Sequence, residues 1–152
     1  LPKRLTGVTT FTIQVTNRKL HIGGLSFKKL EKAWSPLSVT DIDRIYGDAF
    51  CKTDDAITGI GNNVTIEYTD MDFGERTCVV IEITGRSPIE KNTIHVRTSN
   101  GTNETLNIAE FPYSDDYVTK RFPVNVLSGS QTVTLLFLPG SNFDLKGIRF
   151  VR

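Results

Sequence analysis

The sequence predicts an all-β domain built from two packed sheets, and three observations favour this class. Val, Ile, Thr, Phe and Tyr account for 57 of the 152 residues and Ala for only four, a composition typical of half-buried sheet surface. Apolar and polar residues alternate in several segments, as in Val64, Ile66 and Tyr68, which predicts strands with one face in a core. Turn residues separate these segments at short intervals. About ten such strands predict a β-sandwich with jelly-roll topology.

The predicted strands follow one another from the start of the chain to its end. Alternation is clearest in segments 64–69, 93–98 and 132–137. The other predicted strands are 9–15, 19–22, 56–59, 78–84, 106–111, 121–126 and 143–150. In the last strand the apolar positions change parity between Leu145 and Ile148, which predicts a β-bulge at Gly147.

One segment, 27–34, has a helical pattern, with Leu30 and Trp34 four positions apart among charged residues. A short helix and an irregular loop are both compatible with it. The chain shows no internal repeat and no second composition regime, so we expect one domain over residues 1–152. Residues 1–8 are interpreted as a linker remnant, because the segment has neither a signal core nor a cleavage pattern. The chain is therefore expected to be a module of a longer protein.

Charge and cysteine content disfavour several classes of partner. The 18 Lys and Arg residues are interleaved with 17 Asp and Glu residues, so no electrostatic case exists for nucleic acid or an anionic membrane. No apolar run approaches the roughly 20 residues of a bilayer span. Cys51 and Cys78 are too few for a disulfide framework, and we expect two buried thiols. A bridge between them is the alternative, if their Cα atoms lie within about 7 Å.

Residues that could carry catalysis are scattered. His21 and His95 stand alone, and the single cysteines and histidines lack the short paired spacings of a zinc site. Acidic pairs occur at 41/43, 54/55, 70/72 and 115/116, but neighbouring carboxylates in sequence do not predict two that face each other across a cleft. We interpret them as loop and turn residues, with one calcium site made from loop oxygens as the alternative. No catalytic activity is expected.

Aromatic and amide side chains in predicted loops are the most informative candidates. A sugar site combines an aromatic platform with side chains that can hydrogen-bond hydroxyl groups. For each aromatic residue burial in the core is the competing interpretation, and Trp34, which lies among polar residues, is the best exception. The candidates are Trp34, Tyr46, Phe50, Phe111, Tyr113, Tyr117 and Asn142.

Most of the chain resembles carbohydrate-binding modules of the family-six type. A strand leads to Gly129, the run 133–140 follows, and the chain closes through Asn142, Asp144 and Phe150 in the family's order. Segments 60–68 and 71–74 are similar to the family's second major strand and its Asp-Phe-Gly turn. The resemblance extends from near Asp41 to the end of the chain. Motifs at 45–48, 60–63, 71–74 and 138–144 look most like galactose-directed modules at the C-terminal end of large bacterial β-galactosidases.

The resemblance implies a jelly roll with a structural calcium ion and a sugar site in loops at one edge. Asn142 matches the family's sugar-binding Asn. Phe111 or Tyr113 occupies the stretch where the family places a stacking Trp, for which Trp34 is the substitute; Tyr46 is a further candidate for the site. Asp144 matches a residue near the calcium, yet residues 12–19 contain none of the acidic partners expected there. No other cofactor is implied.

The sequence thus predicts a non-catalytic monomeric module that binds terminal galactose in glycans of the lactose or N-acetyllactosamine type. It would hold a covalently linked β-galactosidase near its substrate or a host cell surface, outside a bacterial cell. The alternative is a structural module that packs against its parent enzyme and has no sugar site. The two differ in whether Trp34, Tyr113 and Asn142 converge on an exposed groove.

Overall fold

Strands and two short 3₁₀ turns form the described part of the chain. The computed structural model describes residues 31–152 together with residues 10, 12–16, 19 and 23. The 3₁₀ turns cover Lys32–Trp34 and Val39–Asp41. The strands are β1 (Leu37–Ser38), β2 (Arg44–Tyr46), β3 (Cys51–Lys52), β4 (Ile57–Ile60), β5 (Thr65–Asp72), β6 (Cys78–Ser99), β7 (Glu104–Asn125), β8 (Ser130–Phe137) and β9 (Phe143–Val151).

Two long strands, β6 and β7, run through both layers of the sandwich. In layer A the order is β2-β5-β8-β6-β7, and β6 contributes residues 94–99 to its pairing with β8. In layer B residues 80–86 of β6 pair with β9, which also pairs with β4 and β1. β7 borders β6 in both layers. One continuous sheet therefore curls into a sandwich, and the all-β prediction is confirmed.

Four of the predicted strands belong to two observed strands, because β6 and β7 each pass from one layer to the other without ending. Segments 78–84 and 93–98 are both in β6, and segments 106–111 and 121–126 are both in β7. The pairing of β6 with β7 shifts register between Gly85 and Ser87 and again between Ser87 and Lys91. This region, residues 87–91 of β6 and 112–117 of β7, is called the crossover below. A Cβ atom on Gly85 would lie 2.3 Å from Cζ of Phe143, so only glycine admits that ring where the strand leaves layer B.

The core confirms the predicted alternation. Ile66, Val96 and Leu135 are fully buried in three neighbouring strands of layer A, and their sequence neighbours, apart from Thr65, are partly exposed. The predicted bulge in β9 is confirmed too, since Thr84 pairs with Gly147 while Gly85 pairs with Leu145. The extra residue places exposed Lys146 at the bulge.

Three predictions about local structure were wrong or fall partly outside the described residues. Residues 10, 12–16 and 19 are not in strands, and positions 9, 11 and 20–22 of the predicted strands lie outside the described residues. Of the helical pattern only the turn Lys32–Trp34 is described, and 27–30 lie outside. Cys51 and Cys78 are unpaired as predicted, but both are exposed, because Cys51 lies in a two-residue strand paired on one side and Cys78 starts β6.

In the part of the chain that is described, no helix has the length and apolar character to cross a bilayer.

Candidate functional site

A buried amide organises the loop that precedes β9. Asn92 is fully buried, and its Nδ2 donates to Ser87 Oγ at 2.6 Å and to the carbonyl oxygen of Asn142 at 2.7 Å. The backbone N–H of Asn142 donates in return to Asn92 Oδ1 at 3.1 Å. The Asn142 side chain remains exposed and forms no hydrogen bond within residues 31–152. The backbone of Asn142 is thus fixed while its amide faces solvent.

Tyr113 lies at the same end of the sandwich. Asn92 pairs with Phe111 and Lys91 with Pro112, so the chain reaches Tyr113 directly beside the strand that anchors Asn142. Tyr113 is 52% exposed, and its hydroxyl is hydrogen-bonded to the carboxylate of Asp115. That hydrogen bond raises the pKa of the Tyr113 hydroxyl. An exposed ring with an anchored hydroxyl and an exposed amide therefore stand at the crossover.

Charged side chains border this end on the outer face of layer B. Asp144 accepts a hydrogen bond from the backbone N–H of Gly59 at 2.8 Å and from Arg86 Nε at 3.0 Å. The Tyr117 ring is contacted by two cations, with Lys146 Nζ 4.6 Å and Arg86 Cζ 5.5 Å from its centroid. Burial raises the pKa of the Tyr117 hydroxyl, and the negative charge of Asp144 adds to the effect.

The surroundings of Asp144 do not fit a calcium ion. Both carboxylate oxygens already accept hydrogen bonds, and the guanidinium of Arg86 occupies the position of a cation. Calcium requires six to eight oxygen ligands, whereas no group of three or more His, Cys, Asp or Glu residues comes together within the described ranges. Among the described residues Asp144 thus forms an ion pair with Arg86, and the structural calcium ion stays a prediction.

Phe111 cannot serve as a stacking platform. Its side chain is fully buried and packs edge-to-face on Phe143, with the ring centroids 4.9 Å apart. Ala109, two residues earlier, is also fully buried, so this parity of β7 faces the core until the crossover. Of the two residues considered for the family's Trp position, only Tyr113 is accessible.

Trp34 lies at the opposite end of the sandwich. Its ring packs edge-on against Phe73 with centroids 5.4 Å apart, and Arg152 Cζ lies 4.9 Å from its centroid. Arg152 follows β9 and Asn142 precedes it, so the nine residues of β9 separate them by roughly 30 Å. Trp34 borders its own surface cavity of about 480 Å³. The expected convergence of Trp34 with Tyr113 and Asn142 is wrong.

Tyr46 belongs to a third place, the outer face of layer A. It is 53% exposed on β2, and its hydroxyl donates to Glu67 Oε1 at 3.2 Å. Tyr46 pairs with Thr65 of β5, and successive cross-strand partners in the same row are Leu136 of β8, His95 of β6 and Ile108 of β7. Four strand spacings, about 19 Å, thus separate Tyr46 from β7. Of the five predicted sugar-binding residues, Tyr113 and Asn142 are the exposed ones at the end where Asn92 lies.

Sequence reasoning missed the residues that build this end of the molecule. Asn92 has no local motif, and its role follows from pairing with residues 50 positions away. Arg86 and Lys146 reach Tyr117 from two other strands. Tyr117 was a candidate aromatic, but no signal in its own segment indicates its cation contacts.

Comparison with known proteins places the fold. No protein-family profile matches the sequence, and no curated protein matches it. Solved structures do match. A family 6 carbohydrate-binding module from Clostridium cellulolyticum, in complex with xylose, superposes with a TM-score of 0.66 at 19% identity, covering 79% of this chain and 98% of that one. A β-1,3-glucan-binding family-6 module from Bacillus halodurans gives a TM-score of 0.65 at 21% identity, covering 79% and 97%.

The chain has the fold of a family-6 carbohydrate-binding module. The predicted jelly-roll sandwich is thereby confirmed. An exo-β-1,3-galactanase from Phanerochaete chrysosporium, in complex with β-1,3-galactotriose, also contains this fold. It matches with a TM-score of 0.61 at 12% identity, over 77% of this chain and 29% of the enzyme chain. At these identities the family-6 likeness concerns the fold.

Proposed function

We propose that the chain is a non-catalytic carbohydrate-binding module with its sugar site at the crossover, between Tyr113 and Asn142. One observation carries the proposal: the Asn92 amide ties the Asn142 loop to β6, which pairs with the strand leading to Tyr113, and the side chains of Tyr113 and Asn142 remain exposed. A platform and a hydrogen-bonding amide thus stand on one anchored surface. That the named family-6 neighbours bind sugars supports this choice.

The chemistry of the two side chains suits a sugar. The Tyr113 ring offers an apolar face to the C–H side of a pyranose, and its hydroxyl is held by Asp115. The Asn142 amide can donate and accept hydrogen bonds with vicinal hydroxyl groups. A shallow cavity of about 140 Å³ lies beside this loop, between Lys91, Thr93 and Gly140. With so few contacts we expect dissociation constants from micromolar to millimolar, roughly −8 to −4 kcal/mol.

Galactose-terminated glycans are the proposed ligands, and a glycosidase is the proposed parent. The motif resemblance supports both, as does the galactanase in which a segment of this fold makes up 29% of the chain. Linked to a catalytic domain, a weak module raises the local concentration of enzyme at the glycan. Such a module acts outside the bacterial cell, at its substrate or on a host surface.

A structural module without a sugar site is the second candidate. It is supported by the burial of Phe111 and by the packing of Trp34 against Phe73, which show two aromatic residues serving the core instead of a ligand. In that case the crossover surface would contact the parent enzyme. Sugar binding by the isolated chain distinguishes the two.

The test is calorimetry with lactose and N-acetyllactosamine, with cellobiose as the comparison. Tyr113→Ala and Asn142→Ala should abolish detectable binding, and the Asn142 variant keeps its backbone bonds to Asn92. Tyr46→Ala is the matched control, because Tyr46 is equally exposed (53% against 52%) on another face. It should bind as wild type does.

Wild-type binding that survives both site variants places the site elsewhere and contradicts the proposal. Absence of binding to lactose, N-acetyllactosamine and a glycan array favours the structural module. Chromogenic galactosides should remain unhydrolysed by the purified chain, and turnover abolished by one carboxylate substitution would contradict the non-catalytic assignment.

A further inference from the structure

The outer face of layer B exposes its cations and hides its carboxylates. The side chain of Arg86 is 44% exposed while its partner Asp144 is 8% exposed. The side chain of Arg121 is 72% exposed while its partner Glu82 is 14% exposed. Each acid therefore lies beneath a cation. Solvent meets mainly the guanidinium groups.

Two further cations lie on this face. Lys146 and Arg149 are both exposed on β9, and neither forms an ion pair within the described part of the chain. Residues three positions apart in a regular strand point to opposite sides. The bulge at Gly147 inserts one extra position, so both side chains project from the same face. We call Arg86, Arg121, Lys146 and Arg149 the cationic face.

The pairing of strands sets the spacing of these charges. Arg149 pairs across with Glu82, and Glu82 pairs with Arg121, which places two guanidinium-bearing residues about 10 Å apart, or two strand spacings. Lys146 and Arg149 are also separated by about 10 Å along β9. At the end of the cationic face nearest the crossover, Lys146 and Arg86 both contact the Tyr117 ring, which positions their side chains. The hydrogen bond to Asp144 raises the pKa of the Arg86 guanidinium, and the negative charge of Asp116 adds a smaller effect.

The outer face of layer A shows this asymmetry at one pair, where the side chain of Arg44 is 73% exposed and that of Glu67 is 18% exposed. At its two other pairs the acids are exposed with their partners: the side chain of Glu104 is 63% exposed beside Arg97 at 43%. Glu110 is 50% exposed beside Lys91 at 59%. Both signs of charge reach solvent on layer A. Exposed acids therefore offset the cations on layer A, whereas both ion pairs of layer B present a cation to solvent.

We propose that the cationic face binds an acidic polysaccharide whose carboxylate or sulfate groups repeat along an extended chain. Cations about 10 Å apart on a flat sheet suit repeated anions, whereas a compact anion would contact only one of them. The choice of a polysaccharide among polyanions rests on the proposed function. Continuity supports it, because Lys146 follows Asn142 by four residues and a chain held at the crossover can extend onto the face.

The test uses polygalacturonate for carboxylates, dextran sulfate for sulfates and a neutral galactan as the uncharged control, in affinity electrophoresis or calorimetry. Wild type should bind one or both acidic polymers and lose that binding toward about 1 M salt, where the screening length is about 3 Å. Binding of one polymer alone identifies the anionic group. The variant Lys146→Glu with Arg149→Glu should bind at least about tenfold more weakly.

The charge-matched control is Arg44→Glu with Arg97→Glu, which makes the same change in net charge on layer A and should retain binding. Equal losses in the two double variants would overturn the proposal, since net charge alone would then explain the binding. Duplex DNA bound as tightly as either polymer would also overturn it. Lactose binding, measured in parallel, should be unchanged in the Lys146/Arg149 variant, which separates a failure of this face from a failure of the crossover site.

Discussion

Replacement of Asn92 by alanine should lower the stability of the domain and weaken sugar binding together. The Asn92 amide donates hydrogen bonds to Ser87 Oγ and to the Asn142 carbonyl, and accepts one from the Asn142 N–H. Ser87 Oγ keeps another partner, because it also donates to the carbonyl oxygen of Ile89 at 2.8 Å. The two backbone groups of Asn142 lose the partner that orients their loop.

The expected magnitude follows from those two groups. A backbone donor or acceptor left unpaired costs about 1–3 kcal/mol, so the variant should lose about 3 kcal/mol of unfolding free energy. In a domain of this size each kcal/mol corresponds to about 2–4 °C in Tm, which predicts a Tm lower by about 6–12 °C. A typical stability of about 5–15 kcal/mol keeps the variant folded at 25 °C.

Thermal unfolding followed by circular dichroism measures the first effect, and calorimetry with lactose measures the second. Asn107→Ala is the matched control. Its amide likewise makes three hydrogen bonds, here all to the backbone, at 3.4 Å to the Val96 oxygen and at 2.8 Å each to the oxygen and the nitrogen of Asn125. Asn107 is only half-buried, so water can replace these bonds, and we expect a loss of about 1 kcal/mol with unchanged sugar affinity.

Two results would refute this reasoning. One is a decrease in Tm for Asn92→Ala no larger than that for Asn107→Ala. The other is a folded Asn92→Ala variant with the lactose affinity of wild type, since the buried amide would then not hold the Asn142 loop. Either outcome separates the role of Asn92 from that of an ordinary half-buried amide.

Two further predictions concern layer A. Desolvation alone would raise the pKa of Asp43, but hydrogen bonds from the Lys32 ammonium and the Thr69 N–H outweigh it and lower the pKa below its ordinary 3.8. The ion pair therefore stabilises the fold above about pH 4, and its contribution falls as the pH drops through the folded-state pKa of Asp43. In urea unfolding, Asp43→Asn should be less stable than wild type at pH 7, and the difference in unfolding free energy should disappear near pH 2. A difference that stays constant with pH would contradict this prediction. Tyr68→Phe should raise the unfolding free energy by about 1 kcal/mol, because the buried Tyr68 hydroxyl has no hydrogen-bond partner in the described structure; a lower Tm would show that the hydroxyl is satisfied.

The fold was predictable because its core obeys local alternation. Val64, just before β5, and Ile66 and Tyr68 within it are buried as their spacing predicts, and the bulge that the parity change in β9 required lies at Gly147. The crossover was not predictable from the same rule. Residues 85–92 of β6 interrupt alternation with a glycine and a proline, which resembles a turn between two strands. The backbone instead continues and changes layer there.

The end of the sandwich on which Trp34 lies could not be derived from the sequence. Antiparallel strands carry the chain from one end to the other, so the end reached by a loop depends on counting every strand before it. β1, β2 and β3 have only two or three residues each and leave no periodic signal. All three lie between Trp34 and β4, the first strand after Trp34 with a recognisable pattern. The number of strands that separates Trp34 from β4 therefore cannot be counted from the sequence. After β4 the alternation is clear, although the sequence divides each of β6 and β7 into two strands. That Tyr113 and Asn142 share a sugar site stays a prediction.

Whether Phe111 or Tyr113 is accessible depends on which side of β7 faces the core. The sequence is compatible with either side facing the core. Leu106 and Ile108 share one parity, and Ala109 and Phe111 share the other. In the structure the first pair is 54% and 58% exposed and the second pair is fully buried. Two aliphatic side chains face solvent because Phe111 fills the space beside Phe143, at 4.9 Å between centroids, that no smaller residue of β7 could fill. Tyr113 has the inward parity of Phe111, yet it is exposed because β7 has left layer A after Pro112, and this change of layer makes the ring available to a ligand.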